Sequence, residues 1–250
     1  MFSPRCVPAA LAGTLIVVLA GCATSGGDSS ADKPAPAPVT VHSPDTSAKA
    51  ATAVEPAPAT SSTEPAAPKS STRHQTALLA IPSIGITDLR VVPYEGTTDD
   101  WAGTRIQDRG VAAGPYGDQG GVGPGEVGNY LVTAHRLSAG GPLRELPSVD
   151  KGDSVFVTAG GKVYEYKITD TRTTSFRSER SLAEQRAAVP GSPGKRPTEP
   201  MITISTCATP EDDAAGNFWR DDKGNPEHRI DKIGVLTSSR TASAGTPDTP

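Results

Sequence analysis

The chain has 250 residues, a formal net charge of −4 and only 4% aromatic residues, alongside 26 glycines and 24 prolines. Without a long basic run, that charge excludes the electrostatic footprint of a nucleic-acid-binding protein. Glycine and proline are spread unevenly, which separates one domain of ordinary size from segments too poor in large apolar residues to form a core.

Residues 1–21 read as a signal peptide. Arg5 supplies the positive start, and an apolar stretch runs from Val7 to Ala20. That stretch is shorter than the roughly 20 helical residues a bilayer requires. Leu19-Ala20-Gly21-Cys22 follows and resembles the lipobox of bacterial lipoproteins. The resemblance implies a diacylglyceryl group on Cys22 and a new N-terminus there. The protein would then sit on the outer face of the cytoplasmic membrane, held by its lipid. The plainer reading is an ordinary cleaved signal peptide that contains a cysteine. From 22 to 75 the chain is rich in Ala, Pro, Ser and Thr, as in Pro34-Ala-Pro-Ala-Pro38, and shows no hydrophobic period. It reads as a disordered, lipid-anchored tether, with His42 and His74 as solvated bystanders.

Residues 76–238 read as one mainly β domain. Leu78–Ile86 and Leu89–Val92 suit short strands, and Thr98–Arg105 a short helix or turn. Val111–Gly128 is crowded with glycine and reads as loop. Asn129–Ala134 suits a buried strand that delivers His135 at its end. A helical turn is expected over Leu143–Leu146. Ser154–Thr158 and Val163–Thr169, split by Gly160-Gly161, form a hairpin. Ser178–Val189 has helical composition, and Met201–Thr206 and Ile230–Thr237 are the last strands. Strands at this spacing favour a closed barrel with short helices and long loops. Residues 239–250 read as a disordered tail.

Of three cysteines, Cys6 lies in the cleavable segment and Cys22 in the lipobox-like site, which leaves Cys207 solitary. Such a thiol is either an inert packed residue or a nucleophile. A thiolate nucleophile needs a nearby base, and an attacked amide needs a cation or donor for its developing oxyanion. His135, Cys207 and Arg229 stand at strand ends and suffice for acyl transfer through a thioester. Strand parity puts Thr203, Ser205 and Cys207 on one face, with Ile202 and Ile204 opposite. Ser205 on that polar face and Thr206 through its hydroxyl are the candidates for substrate contact; for Thr206 the alternative is an ordinary β-branched strand residue. The acidic segment Glu211-Asp-Asp213 lacks the spacing of a calcium loop, and no metal or organic cofactor is expected.

Thr133-Ala-His-Arg136 and Thr203-Ile-Ser-Thr-Cys207 resemble the histidine and cysteine motifs of the sortases, cysteine transpeptidases of Gram-positive cell surfaces. Ile81–Ile86 resembles the first strand of that family, and Gly141–Leu146 with Lys151-Gly-Asp153 the stretch after its histidine. The likeness is greatest to the actinobacterial class E and class F groups. It implies a single eight-stranded β-barrel. It also implies cleavage of a Leu-(Pro/Ala)-x-Thr-Gly sorting signal between Thr and Gly, with transfer to an amine. The implied partners are secreted proteins bearing that signal and a peptidoglycan precursor, acted on by a monomer. Carried over by position, Cys207 is the nucleophile, His135 the acid/base and Arg229 the arginine that opens the last strand. Arg220 is the reserve for that role, because the stretch between Cys207 and Arg229 is long. Asp231 and Lys232 depart from a strand that is usually more apolar. Competing readings are a non-catalytic surface lipoprotein that binds a peptide or wall component, and an L,D-transpeptidase, whose Ser-His-Gly-Cys-x-x-Arg cluster this sequence lacks.

Overall fold

The computed structural model describes residues 71–242. The signal peptide, the Cys22 site, most of the tether and residues 243–250 lie outside the described residues. Eight strands follow one another: β1 (Ala77–Ile81), β2 (Ile86–Glu95), β3 (Ala112–Tyr116), β4 (Gly128–Thr133), β5 (Ser154–Ala159), β6 (Lys162–Ser175), β7 (Pro200–Cys207) and β8 (His228–Thr241). Three short helices intervene: α1 (Trp101–Gln107), α2 (Glu179–Arg186) and α3 (Thr209–Ala214). The strands close into a barrel in the order β1-β2-β3-β4-β7-β8-β6-β5. The β2–β3 and β4–β7 pairs are parallel, and the others antiparallel.

Period-2 alternation builds the interior. Leu79, Ile81, Val155, Val157, Tyr166, Ile168, Ile202 and Ile204 are almost fully buried in one cluster. Truncating such a residue, Leu79→Ala for instance, removes about 2–5 kcal/mol. Tyr166 is tolerated inside because its hydroxyl accepts from Gly125 N at 2.7 Å.

Three expectations need correction. The segment read as loop contains β3, whose Gly114 and Pro115 pair in parallel with Pro93 and Tyr94. The last strand does not stop at the expected tail: β8 runs to Thr241, paired with Lys162. The N-terminal edge of the domain lies earlier than residue 76. Thr72–His74 form a 3-10 turn fastened to Glu126, which accepts from Ser71 Oγ (2.5 Å), Thr72 N (3.0 Å) and Arg73 Nη2 (3.1 Å). His74 is exposed, as expected, and its ring meets Tyr116 edge-on at 4.5 Å.

Candidate active site

Two ladders meet at one end of the barrel. The β4–β7 register sets Thr133 beside Ser205, and Ala134 N donates to Ser205 O at 3.3 Å. His135 and Cys207 are the second residues beyond that pair on each chain. Between β7 and β8, Cys207 is the direct partner of Arg229. Directly paired residues share a sheet face, so one face carries Cys207, Arg229, Ser205 and Asp231.

Thr206 and Ser205 are not where substrate contact requires them. Thr206 is fully buried, and its hydroxyl donates to Ala134 O at 2.8 Å, which pins the chain just before His135. Ser205 is equally buried beneath α2, where its Oγ accepts from Gln185 Nε2 at 3.1 Å. The expected polar face exists, but α2 covers this part of it. Gln185 also donates to Asp231 Oδ1 at 2.9 Å and accepts from Thr98 Oγ1 at 3.0 Å. Thr174 Oγ1 completes the Asp231 site at 2.6 Å. The departure at Asp231 is thus a satisfied buried carboxylate. Lys232 points to the opposite face and donates to Pro147 O and Thr171 Oγ1, each at 3.1 Å.

Arg229 is buried, ion-paired with Asp99, and stacked on the Phe176 ring at 4.6 Å. Asp99 reaches it from a backbone at φ 77, an unusual conformation for a non-glycine residue. Burial draws the guanidinium down to about 10, opposed by Asp231 and Tyr94, so it stays charged at neutral pH. The Arg229 Nε N–H is buried without a partner among the described residues. His135 meets Asp108 instead of the thiol, with Nε2 at 2.9 Å from Oδ1.

The Cys207 S–H donates to Asn225 Oδ1 at 3.7 Å. Asp221 holds that asparagine through its N and Nδ2, at 2.8 and 2.9 Å. Burial pushes the thiol up to about 12, with Asp221 and Asp212 adding to the rise and Arg136 and Arg220 opposing it. Arg229 is therefore the cation directly across the ladder, whereas Arg220 and Arg136 are the cations whose field reaches the sulfur. Arg136 forks onto Glu211 of α3, and Arg220 pairs with Asp213. Asp99, Asp108 and Asn225 escaped sequence reasoning. Each is a polar loop or helix-end residue whose partner is fixed only by the fold. Arg136 lies inside the His135 motif and could have been singled out as its second cation.

The strand-end set can remove a thiol proton, form an acyl bond to sulfur and offer a donor to an oxyanion. A family model described as the Sortase domain matches residues 79–218. Sortase SrtE1 of Streptomyces coelicolor is 27% identical over 176 residues, 69% of this chain and 43% of that relative, so the chain spans less than half of the relative's length. Among solved structures, the SrtA sortase of Actinomyces oris superposes with a TM-score of 0.52 at 22% identity, covering 75% of this chain and 93% of the other. Sortase E1 of Streptomyces coelicolor, solved with a tripeptide in its active site, gives 0.51 at 24% identity, covering 71% and 97%.

Proposed function

This chain belongs to the sortase family, and from that premise we propose that it is a transpeptidase whose nucleophile is Cys207. The observation that carries the reading is the strand register, which sets Cys207 across from Arg229 while the neighbouring strand β4 ends two residues before His135. His135 takes the thiol proton and sulfur attacks the threonyl carbonyl of a Leu-(Pro/Ala)-x-Thr-Gly-like signal. The oxyanion is stabilised by Arg229, whose Nε N–H has no partner among the described residues. His135 then protonates the departing glycyl amine, the C–N bond breaks and a thioester remains. An amine of a cell-wall precursor attacks that thioester, loses a proton to His135 and restores the thiol. Attack requires exchange of the Asn225 and Asp99 contacts for substrate, so the described arrangement is a resting state.

Cys22 is the proposed lipid attachment point, and the client proteins are secreted chains bearing the sorting signal. Incubation of the full chain with a panel of sorting-signal peptides and an amine tests the activity. The expected outcome is cleavage between Thr and Gly with transfer to the amine, abolished in Cys207→Ala. Cleavage that persists in that variant sinks the mechanism.

The high thiol pKa and the Asp99 cover on Arg229 favour one second reading, a non-catalytic peptide-binding barrel. Peptide binding without any thiol reactivity of Cys207 would favour it.

A further inference from the structure

His135 is held from two sides, one in the loop that follows it and the other at the end of α1. Its carbonyl accepts from Leu143 N at 3.2 Å, and Leu143 is fully buried, so the backbone is fixed. On the other side Asp108 Oδ1 lies 2.9 Å from the ring Nε2. Asp108 caps the C-terminal end of α1, its N–H donating to Thr104 O at 2.9 Å. A carboxylate there faces the negative end of the peptide dipoles, where a basic residue is the favoured choice. The helix gains nothing from Asp108, whereas His135 does.

The contact is built rather than fortuitous. The α1–β3 turn closes through Arg109 N to Ile106 O at 3.2 Å and Gly110 N to Gln107 O at 2.9 Å. Gly110 then adopts φ 76, and a Cβ there would stand 3.1 Å from Ala139 O in the loop that follows His135. The turn carrying Asp108 therefore lies directly against the loop carrying His135. Aspartate has only two side-chain torsions, so little freedom remains between two backbones so appressed.

We propose that Asp108 is a positioning residue for His135, holding the imidazole as its Nε2–H tautomer and leaving Nδ1 to exchange protons. An ionised carboxylate can only accept, so the nitrogen facing it carries the hydrogen. Nδ1 is then the lone-pair nitrogen that receives the Cys207 proton and later returns it to the leaving amine. This catalytic role rests on the proposed acyl transfer; the tautomer does not.

The chain has four histidines, His42, His74, His135 and His228, so 15N-histidine labelling of the full chain gives an assignable spectrum. His228 is an internal control of opposite sense, because its Nδ1 faces Asp212 Oδ1 at 2.7 Å. The expected spectrum at a pH where His135 is neutral shows His135 as Nε2–H and His228 as Nδ1–H. In Asp108→Asn the carboxamide can donate to Nε2, so His135 moves toward Nδ1–H while His228 is unchanged. Asp108→Glu restores the original tautomer. In peptide cleavage, Asp108→Asn lowers kcat about ten- to a hundredfold with little change in KM. That is well short of the ~10⁴ known for a buried triad aspartate, because the Asp108 side chain is 58% exposed and water can replace it. An unchanged His135 tautomer in Asp108→Asn overturns the proposal. If the wild type cleaves no peptide, the tautomer shift still decides for or against Asp108, and only the acyl-transfer reading fails.

Discussion

At the residue scale, the chemistry turns on how Cys207 is kept neutral. An acid whose pKa is raised to about 12 is protonated at every lower pH, and its thiolate fraction grows about tenfold per unit below that value. Alkylation of Cys207 by iodoacetamide should therefore climb steadily from pH 7 to 10 without a plateau. Asn225 accepts from the neutral S–H and so favours it. Asn225→Ala should speed alkylation at a fixed pH by roughly fivefold, the equivalent of about 1 kcal/mol of hydrogen bonding. An unchanged rate would remove Asn225 from the account. The positions of Cys207 and Arg229 at one end of the barrel were legible in the sequence, because apolar runs mark the strands β7 and β8 that carry them. Asn225 and Asp108 were not, since a polar residue in a turn carries no sign of its partner 18 or 27 positions away.

At the element scale, α2 is the lid over the buried polar face of β7 and β8. Gln185 serves Thr98, Ser205 and Asp231 together. Gln185→Leu would leave the Asp231 carboxylate short of a donor in a buried site. The expected loss is about 2–4 kcal/mol in urea unfolding, and a loss below the error of the measurement would contradict the network. β5 and the first half of β6 were readable from their alternation and β7 from its apolar run, whereas β6 continues past the expected Thr169 to Ser175 through its pairing with β8. β3 was hidden because Gly114 and Pro115 are poor strand formers, and its pairing with β2 and β4 overrides that local preference. α3 has a local sequence signal, Pro210 at its start and then Glu211 and Asp212 in its first turn.

At the scale of the whole molecule, barrel closure followed from strand spacing, but the two parallel pairings depend on contacts distant in sequence and no local pattern announces them. The N-terminal edge of the domain is a further long-range feature. Partial burial alone would raise the Glu126 carboxyl, but hydrogen bonds from Ser71 and Gly123 and the Arg73 guanidinium outweigh it and hold it at about 2. A carboxyl depressed in this way stabilises the fold above its unfolded pKa of about 4.3, and that contribution fades as pH falls toward 2. Ser71–Gln75 should thus resist proteolysis at pH 7, and Glu126→Gln should expose it without unfolding the barrel. Equal protection in wild type and variant would place the anchor elsewhere. Whether Cys207 carries the acyl group is decided by intact-mass and peptide-mapping spectrometry of the full chain mixed with sorting-signal peptides. The expected result is a thioacyl adduct on Cys207, released by hydroxylamine and absent in Cys207→Ala; an adduct on any other residue, or peptide cleavage by Cys207→Ala, overturns the Cys207 mechanism.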